Sequence, residues 1–172
     1  MKKIVISAAI IITFLCLNTN KKIIIPKDSI RFRVVSNSNS KEEQQLKEKI
    51  VYNLKEEIGK IEYSSTDINN TRKQIQKEIP KFNEIITSTL KEAKSNSNYT
   101  INYGNNYFPE KEYDGIKYQE GEYESLVITI GSGQGDNFWC VLFPPLCVIN
   151  PIEDNDKVEY TSFIKKIIAK YF

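Results

Sequence analysis

The chain has 172 residues, with 24 basic and 22 acidic side chains, 40% hydrophobic residues and no histidine. Without histidine, Ser-His-Asp and Cys-His catalysis are excluded, and so are zinc sites built on imidazole ligands. Two of the basic residues, Lys2 and Lys3, fall in a first stretch of twenty residues that holds no acid. The remainder is therefore neutral and offers no field to attract nucleic acid.

Lys2 and Lys3 precede an apolar run from Ile4 to Leu17. A membrane-spanning helix needs about 20 apolar residues, so a basic start with a shorter apolar core reads as a secretory signal peptide. The residues after it, Cys16 to Asn20, offer no Ala-x-Ala cleavage pattern, which leaves an uncleaved signal anchor as the alternative. Thr13-Phe14-Leu15 lacks the small residues of a lipoprotein site ahead of Cys16. Residues 1–20 are assigned to this segment, 21–29 to a polar linker broken by Pro26, and 30–172 to one domain.

Ile30, Phe32 and Val34 alternate with polar neighbours, which predicts a strand with one buried face. Asn37-Ser38-Asn39-Ser40 follows as a turn, and Ser40 with Glu43 makes a capping box. Leu46, Ile50, Leu54, Ile58 and Ile61 then form one helical stripe, with Gly59 near its end. A second helix is expected after caps at Ser64-Ser65-Thr66. Ile68, Ile75, Ile79, Phe82, Ile86 and Leu90 carry its period to about Lys94, with a kink or break near Ile79 ahead of Pro80.

After residue 98 the pattern changes. Tyr99 to Tyr103 and Glu122 to Ile130 alternate as strands, separated by a tyrosine-rich stretch with a turn signal at Asp114-Gly115. Phe138 to Phe143 predicts a further buried strand, and Lys157 to Phe172 an amphipathic helix. The fold class is α+β: an N-terminal strand, two helical segments, a mainly antiparallel β region and a C-terminal helix.

Few segments carry chemistry. Gly131-x-Gly133-x-Gly135 lacks the spacing and the following helix of a nucleotide loop, so it reads as a hairpin or binding loop and no cofactor is assigned. Glu120, Glu122 and Glu124, and again Glu153, Asp154 and Asp156, read as solvated surface, because acid–base work needs carboxylates converging in one pocket. No catalytic or metal-binding residue is assigned. Cys140 and Cys147 are the two cysteines left once Cys16 departs with a signal. In an exported domain they read as a disulfide around Pro144-Pro145, with buried free thiols as the alternative. Two prolines cannot continue a central strand, so the second half of Phe138 to Ile149 lies at an edge or leaves the sheet. Apolar groups held on such a stiff segment suit a partner-binding surface. An exported wall- or ligand-binding module that uses the tyrosines of 99–123 is the rival reading.

Two segments together resemble the stage II sporulation protein R family. The first is Ile30-Arg31-Phe32-Arg33-Val34-Val35-Ser36-Asn37-Ser38-Asn39-Ser40, followed by Glu43-Gln44-Gln45-Leu46-Lys47. The second runs from Phe108-Pro109 with Lys111 and Tyr113 through Gly121-Glu122-Tyr123-Glu124-Ser125-Leu126, Gly131 and Gly133. It ends in Asn137-Phe138-Trp139-Cys140-Val141-Leu142-Phe143-Pro144-Pro145-Leu146-Cys147. Ser36, Asn39 and Phe138 depart mildly from the family pattern. The resemblance implies a non-enzymatic protein made in the forespore and exported into the space between forespore and mother cell. There it would activate the membrane-embedded peptidase that processes the sigma-E precursor. Residues expected at the contact with that peptidase are Phe138, Trp139, Leu142, Phe143, Pro144, Pro145 and Leu146. Arg31 and Arg33 are candidate polar contacts, with a solvated strand face as their alternative.

Overall fold

The structure, a computed structural model, describes residues 23–24, 26–64, 67–113 and 116–147. The segment read as a signal, the acidic cluster at 153–156 and the helix expected over 157–172 lie outside the described residues.

Two long helices cover one face of a four-stranded sheet. Strand β1 (Ile23–Ile24) falls within the stretch read as linker, and β2 (Ile30–Val35) is the strand expected from the alternation. Helix α1 (Lys41–Ser64) starts where the Ser40 hydroxyl accepts the Glu43 N–H at 3.3 Å, the forward half of the capping box. It runs on past the exposed Gly59 to Ser64, because Ile58 and Ile61 on either side of that glycine are buried.

Helix α2 (Ile68–Glu92) corrects the sequence reading at its cap and excludes a break at Pro80. Its cap is Asp67, whose carboxylate accepts the N–H groups of Asn69 at 2.8 Å and Asn70 at 2.9 Å. It also passes through Pro80 without a break. Pro80 and Gln76, one turn earlier, are both exposed. Water can therefore serve the carbonyl that a proline leaves without its donor, while Ile75, Phe82 and Ile86 hold the buried side together. The helices are joined by Asn53 Nδ2 donating to Thr89 Oγ1 at 2.8 Å and by a Lys49–Glu92 ion pair at 3.1 Å.

The remaining strands are β3 (Tyr99–Phe108), β4 (Lys111–Tyr113), β5 (Ile116–Tyr118), β6 (Gly121–Ile130) and β7 (Asn137–Phe143). The main sheet has the order β3-β6-β2-β7, and a small one the order β1-β5-β4. Strand β2 runs parallel to β6 and antiparallel to β7, and β3 is antiparallel to β6, so antiparallel pairing dominates as expected. Ile30, Phe32, Val34, Leu126, Ile128, Ile130, Phe138 and Cys140 point to the helices and meet the stripe Leu46 to Ile61. The opposite face carries Val35, Phe108, Tyr123, Val127 and Trp139 as a second, smaller cluster.

Candidate interaction surface

The period of two that sends Phe32 and Phe138 into the main core puts Arg31, Arg33 and Trp139 on the other side of the sheet. Neither arginine lies on a freely solvated face. Arg31 is fully buried and Arg33 half-buried. The Arg31 guanidinium sits 3.3 Å from the centre of the Tyr123 ring and 5.2 Å from that of Phe108, and its Nη1 donates to the Gln119 carbonyl at 3.3 Å. The Arg33 guanidinium lies 4.8 Å from the Phe108 ring and 5.4 Å from Trp139. Phe108 meets Tyr123 at 6.1 Å and Trp139 at 5.3 Å, both edge-on. Three rings thus interleave with two cations. Ring faces offer negative potential to a guanidinium that has given up water, worth about 2 kcal/mol or more for a desolvated pair. Burial pulls the Arg33 pKa down from its ordinary value. Arg33 Nε and Trp139 Nε1 are buried without a hydrogen-bond acceptor.

Gly121, at the start of β6, has a φ of +146°, a conformation that favours glycine. Sequence reasoning named Arg31, Arg33 and Trp139 but not Phe108 and Tyr123 as their neighbours. The signal was present in the shared parity of positions 31, 33 and 139. What it lacked was the pairing of β3 with β6 that brings residues 108 and 123 alongside.

Beyond β7 the chain turns sharply at Phe143-Pro144-Pro145-Leu146. Three contacts fix this turn at its base. Leu146 N–H returns to the Val141 carbonyl at 3.1 Å. Cys140 and Cys147 have their Cα atoms 5.3 Å apart and their sulfurs bonded. Cys147 N–H donates to Glu62 Oε1 at 2.8 Å, which ties the turn to the last turn of α1. Burial pushes the Glu62 carboxyl up to about 7, against the opposing effect of that N–H. Nothing in the sequence singled out Glu62, since its partner is 85 residues away.

Of the residues expected at a partner contact, Phe138 and Leu142 belong to the helix-side core and Arg31 to the buried stack. Trp139, Arg33, Phe143, Pro144 and Leu146 are partly exposed, and Pro145 is exposed. Among the described residues, Tyr99, Tyr103 and Tyr123 do not share one platform, since Tyr99 and Tyr103 pack on the helix side of the sheet and Tyr123 on the other. Tyr123 is buried under Arg31, Tyr99 bonds the Asn83 carbonyl at 3.1 Å, and Tyr103 donates to Glu124 at 2.5 Å. Arg72 forks onto the same Glu124, with Nη2 at 2.7 Å, which holds that carboxyl below its usual range and pushes the Tyr103 phenol upward.

The glycine loop after β6 is a brace. Gly135 N–H donates to the Ser36 carbonyl at 2.8 Å, Gln134 N–H to the Asn37 carbonyl at 3.2 Å, and Asp136 N–H to Asn39 Oδ1 at 2.6 Å. A Cβ on Gly135 would stand 2.3 Å from the Ser38 carbonyl oxygen, so glycine is needed for this close approach. Among the described residues no group of three or more metal-ligating side chains converges, and no helix is long and apolar enough to cross a membrane.

A mixed sheet backed by two helices, with an arginine–aromatic stack on its far face and a cross-linked proline turn at its edge, defines a small α+β protein. The chain belongs to the stage II sporulation protein R family: the family model matches residues 26–153. It is 37% identical over 131 residues to the stage II sporulation protein R of Bacillus subtilis (strain 168), across 76% of this chain. The chain spans 58% of the length of that curated relative. No solved structure matches it. Family membership supports a role in sporulation.

Proposed function

We propose that this protein is a secreted, non-enzymatic intercellular signal of sporulation. It acts in the space between forespore and mother cell and activates the membrane-embedded peptidase that processes the sigma-E precursor. The observation that carries this reading is the turn Phe143-Pro144-Pro145-Leu146, which presents apolar groups at the surface while a disulfide, a backbone bond and Glu62 hold its base. An apolar segment already held in one shape loses little entropy on docking, which is what a compact binding surface needs. An activator works by binding the active arrangement of its target more tightly than the inactive one, and a rigid display can discriminate between the two. Trp139 and Arg33 extend the surface onto the far face of the sheet.

The test is processing of the sigma-E precursor in cells that co-express this chain with its cognate peptidase. Processing should require the exported form and vanish when residues 2–17 are deleted. Trp139→Ala and Phe143→Ala proteins that are exported and folded should activate poorly. Full activation by both variants would remove the surface from the proposal, and processing indifferent to the chain itself would overturn the function.

A further inference from the structure

Strand β3 is an edge of the main sheet, with β6 on one side and no strand on the other among the described residues. Soluble proteins blunt such edges with charge, proline, a bulge or short length. The ten residues Tyr99-Thr100-Ile101-Asn102-Tyr103-Gly104-Asn105-Asn106-Tyr107-Phe108 contain no charged residue and no proline, and their register with β6 has no shift. The other edge strand, β7, is followed at once by Pro144 and Pro145 and by a bond folding Leu146 back onto Val141.

The bonding groups of the open edge can be assigned. Gly131 N–H donates to the Asn98 carbonyl at 2.7 Å, and pairs alternate along an antiparallel ladder. Even-numbered residues of β3 therefore bond inward to β6. The N–H and C=O groups of Tyr99, Ile101, Tyr103, Asn105 and Tyr107 face outward. Gly104 sits in mid-strand, where glycine weakens a sheet, yet a methyl group there would meet nothing within 4 Å in this chain. A mid-strand glycine often marks a bulge, a bend or the close approach of another backbone, and the register with β6 is free of bulges here.

We infer that the β3 edge is a pairing surface for a second copy of this chain, joined antiparallel about a two-fold axis at Gly104. Outward residues must pair with outward residues, and an axis at Gly104 meets that condition. Tyr103 then opposes the partner's Asn105, and Ile101 opposes the partner's Tyr107. Gly104 faces its own copy as a non-hydrogen-bonded pair, the closer of the two antiparallel spacings. The side chains match as well. Ile101 meets an aromatic ring that is 56% exposed in the single chain, Asn102 meets Asn106, and no like charges are opposed. The free chain lacks charge across the whole edge, so self-pairing meets no electrostatic penalty. This inference stands apart from the peptidase reading and uses none of its surface.

The experiment uses the full chain carrying Cys16→Ser, with Gly104→Cys added, exported from cells. A covalent dimer is expected, because opposed residues of a non-hydrogen-bonded pair are close enough for a disulfide, whereas Asn102→Cys in the same background opposes Asn106 of the partner subunit and should form no cross-link. Adding Asn105→Pro removes an outward N–H at an edge position that tolerates proline in the single chain, and should abolish the cross-link. In sedimentation of the full chain in detergent, Asn105→Pro and Asn105→Lys should each raise the dissociation constant at least about tenfold, with circular dichroism unchanged. A wild-type chain that is monomeric at every concentration overturns the inference, and so does a dimer unaffected by both changes or cross-linking equally well through position 102.

Discussion

Replacing Glu62 with glutamine should stabilise this protein in mild alkali and do little in acid. The Glu62 carboxyl lies at the end of α1 under the disulfide-bonded turn, where burial raises it from 4.5 to about 7 while the Cys147 N–H opposes the shift. In the unfolded chain the group returns to the ordinary value. Between those values the folded state holds more proton than the unfolded one, so stability falls as pH rises. The contribution is fully present below the unfolded value, is lost as pH climbs through about 7, and stays lost above it. At 1.36 kcal/mol per tenfold the full interval would give a little over 3 kcal/mol, and partial exposure of the side chain reduces this to about 2 kcal/mol. Glutamine keeps an oxygen to accept the Cys147 N–H and never ionises. At pH 8 Glu62→Gln should therefore be about 2 kcal/mol more stable than the parent, and at pH 5 the gap should shrink to less than about 1 kcal/mol. Urea unfolding followed by fluorescence is well suited, since Trp139 is the sole tryptophan and lies in the stack. The quantity that matters is the difference between the two proteins, since any pH dependence they share cancels. Equal stability at pH 8, or a gap independent of pH, would refute the reasoning.

Three further outcomes follow from the same geometry. A double-mutant cycle of Arg31→Met with Tyr123→Leu should give a favourable coupling of about 1–2 kcal/mol in urea unfolding, and additive effects would mean that the 3.3 Å stack contributes nothing. Changing both Cys140 and Cys147 to serine opens a loop of sequence separation 7 and should cost roughly 2–3 kcal/mol, measured against the parent without reductant. Gly135→Ala forces a methyl group to within 2.3 Å of the Ser38 carbonyl and should cost roughly 1–3 kcal/mol, seen as a lowered melting temperature, whereas Gly59→Ala, with open space around it, should be neutral or stabilising.

The periodicities in the chain settled much of the architecture by themselves. Steps of four and three from Leu46 to Ile61 can bury one stripe only as a helix. Alternation at Ile30–Val34 and Leu126–Ile130 can bury one face only as a strand. The cap of α1 was legible because Ser40 and Glu43 act within one turn. The cap of α2 was misread because serine, threonine and aspartate at 64–67 are all competent, and the choice among them falls to the packing of the helix. Of the kink or break expected near Ile79, the break is ruled out, since the helix continues through Pro80 with Gln76 and Pro80 exposed and Ile75, Phe82 and Ile86 holding its buried side. What lay beyond the sequence was everything that joins distant positions. Alternation places Arg31, Arg33 and Trp139 on one side of the sheet, but whether that side meets water or aromatic rings depends on the register of β3 with β6. Likewise Glu62 acquires its role only when the end of α1 arrives beneath Cys147. Local pattern fixes which side of an element is apolar, within reach of a few bonds. Which elements then lie side by side is set by the burial of the whole chain, and the arginine–aromatic stack and the clamped turn exist only at that level.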